Sequence, residues 1–204
     1  QNMVSRATFA ACEWINQQRP EMLHYMLSGN FDTEKKTSSV NLLKTRGRRV
    51  TAEITVPREI LMKHLRVAPE QIAYGQQIST LSAILTNSSN NANHPANALA
   101  ALYLATGQDI ANIGESNQCT VYQRATRDGD HYFSITLPSI IMASYGGGTN
   151  LPTQSECLKM MDCFGQDKAL KLCEIAAGLV VAGELSLAAA TRIDKATRTN
   201  EWVD

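Results

Sequence analysis

The chain has 204 residues, and 19 Lys and Arg are balanced by 19 Asp and Glu, so its formal net charge is zero. That balance offers no net positive field to a nucleic-acid backbone and excludes a strongly basic nucleic-acid binder. A hydrophobic content of 44% can fill the core of one domain, while no stretch reaches the eighteen uninterrupted apolar residues of a membrane span. The expectation is a cytoplasmic protein with no membrane and no nucleic-acid partner.

In chain order, Asn2 to Ala11 reads as a helix already under way, ending before Pro20. A helix so near residue 1 carries the expectation that something once preceded it. Met22 to Leu27 reads as a short strand closed by the turn-prone Ser28-Gly29-Asn30. Glu34-Lys35-Lys36 falls on a loop or helix start, and the β-branched alternation from Val50 to Val56, stopped by Pro57, predicts a strand. Arg58 to Leu85 reads as largely helical with a break near Ala68-Pro69, and the polar run Asn87 to Asn93 as a loop.

A helix resumes from His94 to Thr106, with Leu99, Leu102 and Tyr103 on one side and Gly107 as its stop. Val121 to Gln123 and His131 to Ile135 flank Asp128-Gly129-Asp130 as a hairpin. The cluster Gly146-Gly147-Gly148 leads into a helix from about Thr153, and Lys168 to about Lys195 reads as one long buried helix. Helices and strands mix without regular βα alternation, which is an α+β pattern. The five cysteines and four histidines show neither paired nor ligand spacing, so reduced core thiols and no metal site are expected.

Three blocks exceed what composition explains: Gly107-Gln108-Asp109, Tyr145 to Leu151 with its glycine triplet, and Ala182-Gly183-Glu184-Leu185-Ser186-Leu187. In this order and separation they resemble the catalytic domain of HMG-CoA reductase. Asn2 to Ser5, Ser28 to Asn30, Glu34 to Lys36, His94 to Asn97 and Pro138 to Ile140 agree with it. The resemblance implies a reductase-like substrate domain over 31–204, and over 1–30 a remnant of the small inserted NADP-binding-type domain. It also implies two-step reduction of a thioester by NADPH, a homodimer, and a place in isoprenoid or polyketide biosynthesis.

Transferred by position, Lys35 falls on the family's oxyanion lysine and Asp109 on its catalytic aspartate. Ser28, Asn30, Lys36, His94 and Asn97 fall on the substrate and CoA side. Asn2, Met3, Gly146, Gly147 and Gly148 fall on cofactor-facing segments. The departures are as specific. The D-A-M-G segment and the glutamate block that precede these motifs in the family have no counterpart. Gln77 stands where the family has a further lysine, Glu34 where it has an aspartate, and Asn200 where it has a C-terminal histidine. No histidine follows His131.

These departures motivate the reading of a diverged, non-reducing catalyst, performing cyclisation, isomerisation or aldol-like chemistry on a small carbonyl substrate. In that reading this chain alone needs no cofactor. The alternatives are an NADPH-dependent reductase, as a fragment or half of a split enzyme completed by a second chain, and a non-catalytic ligand- or partner-binding member. Local readings stay open too: Lys35 and Asp109 as a structural ion pair, the glycines as a tight turn, His94 as a helix start. The sequence-level expectation is that Lys35 and Asp109 share one desolvated pocket, walled by Asn97 and the glycine turn.

Overall fold

The computed structural model describes residues 2–21 and 32–191, and of Asn2 and Met3 the backbone only. The strand expected over 22–27 and the Ser28-to-Asn30 turn lie outside the described residues. In chain order the elements are α1 (Asn2–Gln18), α2 (Ser39–Leu43), β1 (Arg48–Val56), α3 (Arg58–Ile60) continuing as a π-helical turn (Leu61–Leu65), and α4 (Pro69–Leu85). There follow α5 (Pro95–Thr106), α6 (Ile113–Ser116), β2 (Thr120–Ala125), β3 (His131–Ile140), α7 (Pro152–Met160) and α8 (Ala169–Ala190). The α+β pattern read from the sequence is the architecture found.

The sheet is antiparallel with strand order β1-β3-β2. The Asp128-Gly129-Asp130 hairpin joins β2 to β3, and β1 pairs along the other edge of β3 from Val56 opposite His131 to Arg48 opposite Ile140. Phe133, Ile135 and Leu137 alternate inward on β3 as period-two geometry requires. They meet Leu99, Leu102 and Tyr103 of α5 and Leu172, Ala176, Ala177 and Val180 of α8, all buried in one cluster. A second, smaller cluster packs Val56, Leu61, Val67 and Ile72 against Ala188 and Ala189.

The break at Ala68-Pro69 has a plain cause. A residue before proline is pushed out of the helical region, and Ala68 is extended at φ −82°, ψ 147°. The Gln71 side chain accepts from the Ala68 amide and recloses the new helix end. Arg66, at φ 55°, completes the reversal out of the π turn.

Helix α8 turns Leu172, Ala176, Ala177 and Val180 into the core and leaves Leu170 and Leu179 exposed on its other side. This helix is long and apolar enough, by length and composition, to cross a membrane, and half of its most apolar window is buried inside the chain. Its neighbours are β1, α5, β3, α4 and the π turn. An exposed apolar stripe also lies on α4, where Tyr74, Ile78, Leu81 and Leu85 follow one another at helical spacing.

The inner side of α4 meets the sheet through polar groups. Gln123 donates to the Gln76 side chain at 2.9 Å, the His131 ring nitrogen Nε2 shares a 2.9 Å hydrogen bond with Gln123 Oε1, and Gln76 donates to the Asn91 backbone carbonyl at 3.2 Å. Asn91 in turn pairs with both backbone groups of Val121. The polar loop around Asn90 and Asn91 is thus a fixed part of the seam between α4 and β2. Burial pushes the His131 imidazole down to about 4, because an imidazolium there would be desolvated.

The unfolded chain therefore binds more protons than the native one between pH 6.5 and 4, and stability falls as pH is lowered through that window. The slope from this group is at most about 1.4 kcal/mol per pH unit. Urea midpoints measured from pH 7 to 5, above the carboxylate range, should fall in the wild type and flatten in a folded His131→Gln variant.

Candidate active site

Asp109 is placed by α5 and by what stops it. Gly107 is the C-cap at φ 67°, ψ 31°, a left-handed conformation that glycine adopts without steric cost. A Cβ on Gly107 would collide with the backbone of Gly148, and one on Gly148 would collide with the Gly107 carbonyl. The two motif glycines therefore lie back to back. Gln108 completes the junction by donating to the Ala143 carbonyl at 2.8 Å and accepting from the Ala143 amide at 2.7 Å. Asp109 follows at once, its Oδ1 accepting from the Ala111 amide at 3.1 Å, which leaves Oδ2 to face outward.

Lys35 meets that oxygen. Its Nζ lies 2.9 Å from Asp109 Oδ2, with the two side chains 43% and 36% exposed. The hydrogen bond and charge of Asp109 raise the Lys35 ammonium above its ordinary value. The Lys35 hydrogen bond, against a smaller opposing effect of burial, lowers the Asp109 carboxyl. Both groups are charged at neutral pH, and Lys35 is held as a cation.

The turn that carries Lys35 rests on Gly114, where a Cβ would press on the Lys35 carbonyl carbon and oxygen at 2.8–2.9 Å. Thr37 donates to the Gly114 carbonyl at 3.1 Å. Beside it, Arg46 bridges Glu34 at 3.0 Å and the buried Glu115 at 3.3 Å, and Asn112 donates to the same Glu115 oxygen at 2.9 Å. Lys36 reaches back to the Asp32 carbonyl.

The sequence expectation of one desolvated pocket is not met within this chain. The pair is partly open to solvent, and Asn97 is exposed in the first turn of α5, about 15 Å along the helix from Gly107 at 1.5 Å per residue. His94 shares that far end. There Glu184, buried on α8, accepts from the amides of Asn93 at 3.1–3.2 Å and of His94 at 2.7 Å. A carboxylate at this position satisfies free amides and suits the positive end of the helix. Gly183 has no room for a Cβ because the His94 ring occupies it, and His94 Nδ1 is buried without a hydrogen-bond partner among the described residues.

Gly146 and Gly147, at φ 82° and 60°, form the turn on the Asp109 side, Gly146 half-buried and Gly147 exposed. Gln77 is exposed on α4. Asn2 and Met3 open α1, and Ser28 and Asn30 lie outside the described residues. Sequence reasoning did not single out Gln108 on its own, nor Gly114, Arg46 and Glu115. Gln108 stood inside the G-Q-D block and was legible there. The Arg46 bridge joins residues 69 positions apart and left no local signal.

The family model described as hydroxymethylglutaryl-coenzyme A reductase matches residues 1–198. The chain is 39% identical over 208 aligned residues to 3-hydroxy-3-methylglutaryl-coenzyme A reductase of Pyrococcus abyssi, covering 99% of this chain and 51% of that protein. It is 42% identical to the protein of the same name from Methanothermobacter thermautotrophicus, covering 91% and 47%. With the Arabidopsis thaliana reductase 1 the identity is 35%, covering 98% and 35%. The chain thus spans about half the length of the archaeal relatives it matches.

The Glu184 cap is testable on its own. Glu184→Ala should lower unfolding free energy by about 2–4 kcal/mol, since two backbone amides lose a charged acceptor in a buried site. Urea denaturation reads this directly, and a change within about 0.5 kcal/mol would show that water replaces the carboxylate at no cost.

Proposed function

Because the chain belongs to the hydroxymethylglutaryl-coenzyme A reductase family, we propose that it carries the oxyanion-stabilising half of a thioester reductase. The relatives' names favour this reading over the non-reducing catalysis suggested by the sequence departures. The observation that carries it is the 2.9 Å contact of Lys35 with Asp109, half open to solvent and therefore reachable by a substrate carbonyl.

A developing negative oxygen needs a fixed positive charge beside it. Lys35 supplies that charge, and Asp109 keeps the ammonium protonated and aimed. With one Asp109 oxygen occupied by the Ala111 amide and the other by Lys35, the carboxylate cannot swing away. Lys36, one residue on, is turned back to Asp32, donating to its carbonyl and lying 3.7 Å from its carboxylate. Two successive equivalents of a nicotinamide dinucleotide would each supply one of the two hydrides of the reduction. The residues present are compatible with it: half-buried Gly146 and exposed Gly147 give a side-chain-free backbone edge next to the Asp109 junction, which permits close approach of a ligand. Residues 1–30, as a remnant of an inserted dinucleotide-binding domain, would add to that side.

The test is HMG-CoA-dependent oxidation of NADPH followed by nicotinamide absorbance on the full-length chain. Lys35→Met and Asp109→Asn should each lower kcat by about 100- to 1,000-fold, the range for removing a preorganised oxyanion group. Wild-type turnover that survives either change would overturn the reading. No NADPH consumption by the wild type, with HMG-CoA altered nonetheless, would return the argument to non-reducing chemistry.

The same family reading implies that His94 and Asn97 serve the site that Lys35 serves, yet they lie at the opposite end of α5. A second copy of the chain reconciles the two, bringing the His94 end of one subunit to the Lys35 end of the other. The exposed α4 stripe, on the helix that leads to the His94 loop, gives such a dimer an apolar surface. Mixed dimers of Lys35→Met and Asn97→Ala chains should then recover up to about a quarter of wild-type activity by random assortment, although each variant alone is impaired. Strict additivity of the two defects on mixing, or a monomer by light scattering at micromolar concentration, would count against the shared site.

A further inference from the structure

Lys35 is held in an unusual backbone state. Its φ of 59° is the left-handed region, where a side chain with a Cβ is crowded against the following carbonyl. Such a conformation persists only where the surroundings over-determine it. Gly114 supplies a floor beneath the Lys35 carbonyl, but a floor does not choose a backbone conformation.

The choice is made from inside the turn by Asn41. Its side chain is fully buried although it comes from α2, a helix of only five residues. The carboxamide oxygen accepts from the Thr33 hydroxyl at 2.6 Å, and the amide nitrogen donates to the Thr33 carbonyl at 3.3 Å and to the Lys36 carbonyl at 3.0 Å. One side chain thus joins both flanks of Lys35. Its own backbone is anchored as well: the Asn41 carbonyl accepts from the Ser139 hydroxyl at 2.6 Å, and the same hydroxyl accepts from the Arg46 amide at 2.9 Å. The turn is therefore referenced to β3, the central strand, rather than to the loop it sits in.

We propose that Asn41 is a positioning residue for Lys35, its buried carboxamide holding the Thr33–Lys36 turn in the conformation that aims the ammonium at Asp109. An ordinary helix cap would not explain the pattern, because Ser38 already fills that role for α2, accepting from the Val40 amide. Hydrophobic packing does not explain it either, since all three contacts are polar and all reach residues flanking Lys35. The consequence for turnover rests on the reductase reading above; the consequence for the Lys35–Asp109 pair does not.

The first experiment is a carboxylate NMR titration of Asp109 in this chain. The wild-type group titrates below the ordinary aspartate value because Lys35 is beside it, and Lys35→Met moves it up. Asn41→Ala should move it up to match Lys35→Met, and Thr33→Val, which removes one of the three contacts at a partly exposed position, should move it part of the way. A folded Asn41→Ala protein with Asp109 titrating as in the wild type overturns the proposal. If Asn41→Ala does not fold, Thr33→Val decides, and an unchanged Asp109 there overturns it equally.

The second experiment is kinetic, on the full-length chain. Misplacing the lysine should lower kcat by about 10- to 100-fold in Asn41→Ala and leave KM within about twofold. A rise in KM at constant kcat would overturn the positioning role. A wild type without turnover would remove the reductase reading, and the titration would still decide the fate of Asn41.

Discussion

Two glycines that touch back to back set the geometry of everything near the site. Gly107 ends α5 and Gly148 lies in the turn that follows β3, and neither could bear a Cβ without striking the other's backbone. Gln108 then pairs with both backbone groups of Ala143, so the end of a core helix and the exit of the central strand behave as one unit. Because α5 is buried by Leu99, Leu102 and Tyr103, the position of Asp109 is inherited from the hydrophobic core. Interiors packed at crystal-like density transmit such placements with little play.

The lysine side is built on different physics. Its turn belongs to a short polar segment with little apolar surface, and hydrogen bonds and ion pairs fix it in place. Asn41, Gly114 and the Arg46 bridge to Glu34 and Glu115 do what packing does for Asp109. Buried polar groups of this kind tolerate few substitutions, since an unpaired partner is costly. The meeting of the two halves produces an ion pair still partly open to water, screened in part by solvent and contributing little to stability. That combination suits a group that must be charged and reachable more than one that must hold the fold together.

The far end of α5 repeats the logic with a carboxylate in place of a carboxamide. Glu184 holds the amides of Asn93 and His94, and Gly183 makes room for the imidazole. The sequence block Ala182 to Leu187 was visible as a motif, and in the fold its Glu184 accepts from the amides that lead into α5. Both ends of α5 therefore carry a family motif, separated by the length of the helix. A single chain displays the two ends without joining them.

Periodicity and turn chemistry placed the strand ended by Pro57, the hairpin around Gly129, the helix stopped by Gly107 and the long apolar α8, because each depends on residues close in sequence. The motif blocks likewise point to Lys35 and Asp109 from the sequence alone. Three features belonged to the tertiary structure alone. Which apolar side chains stay exposed, the α4 stripe and Leu170 and Leu179 of α8 among them, depends on what packs against each helix. The Lys35–Asp109 pair is open and Asn97 is remote from it, since distance along a helix is fixed by rise per residue while proximity between elements is fixed by docking. The clamp of Asn41 on its turn and the reach of Arg46 to Glu115 join residues whose side chains carry no periodic signature, so only the folded backbone could bring their partners within hydrogen-bond range.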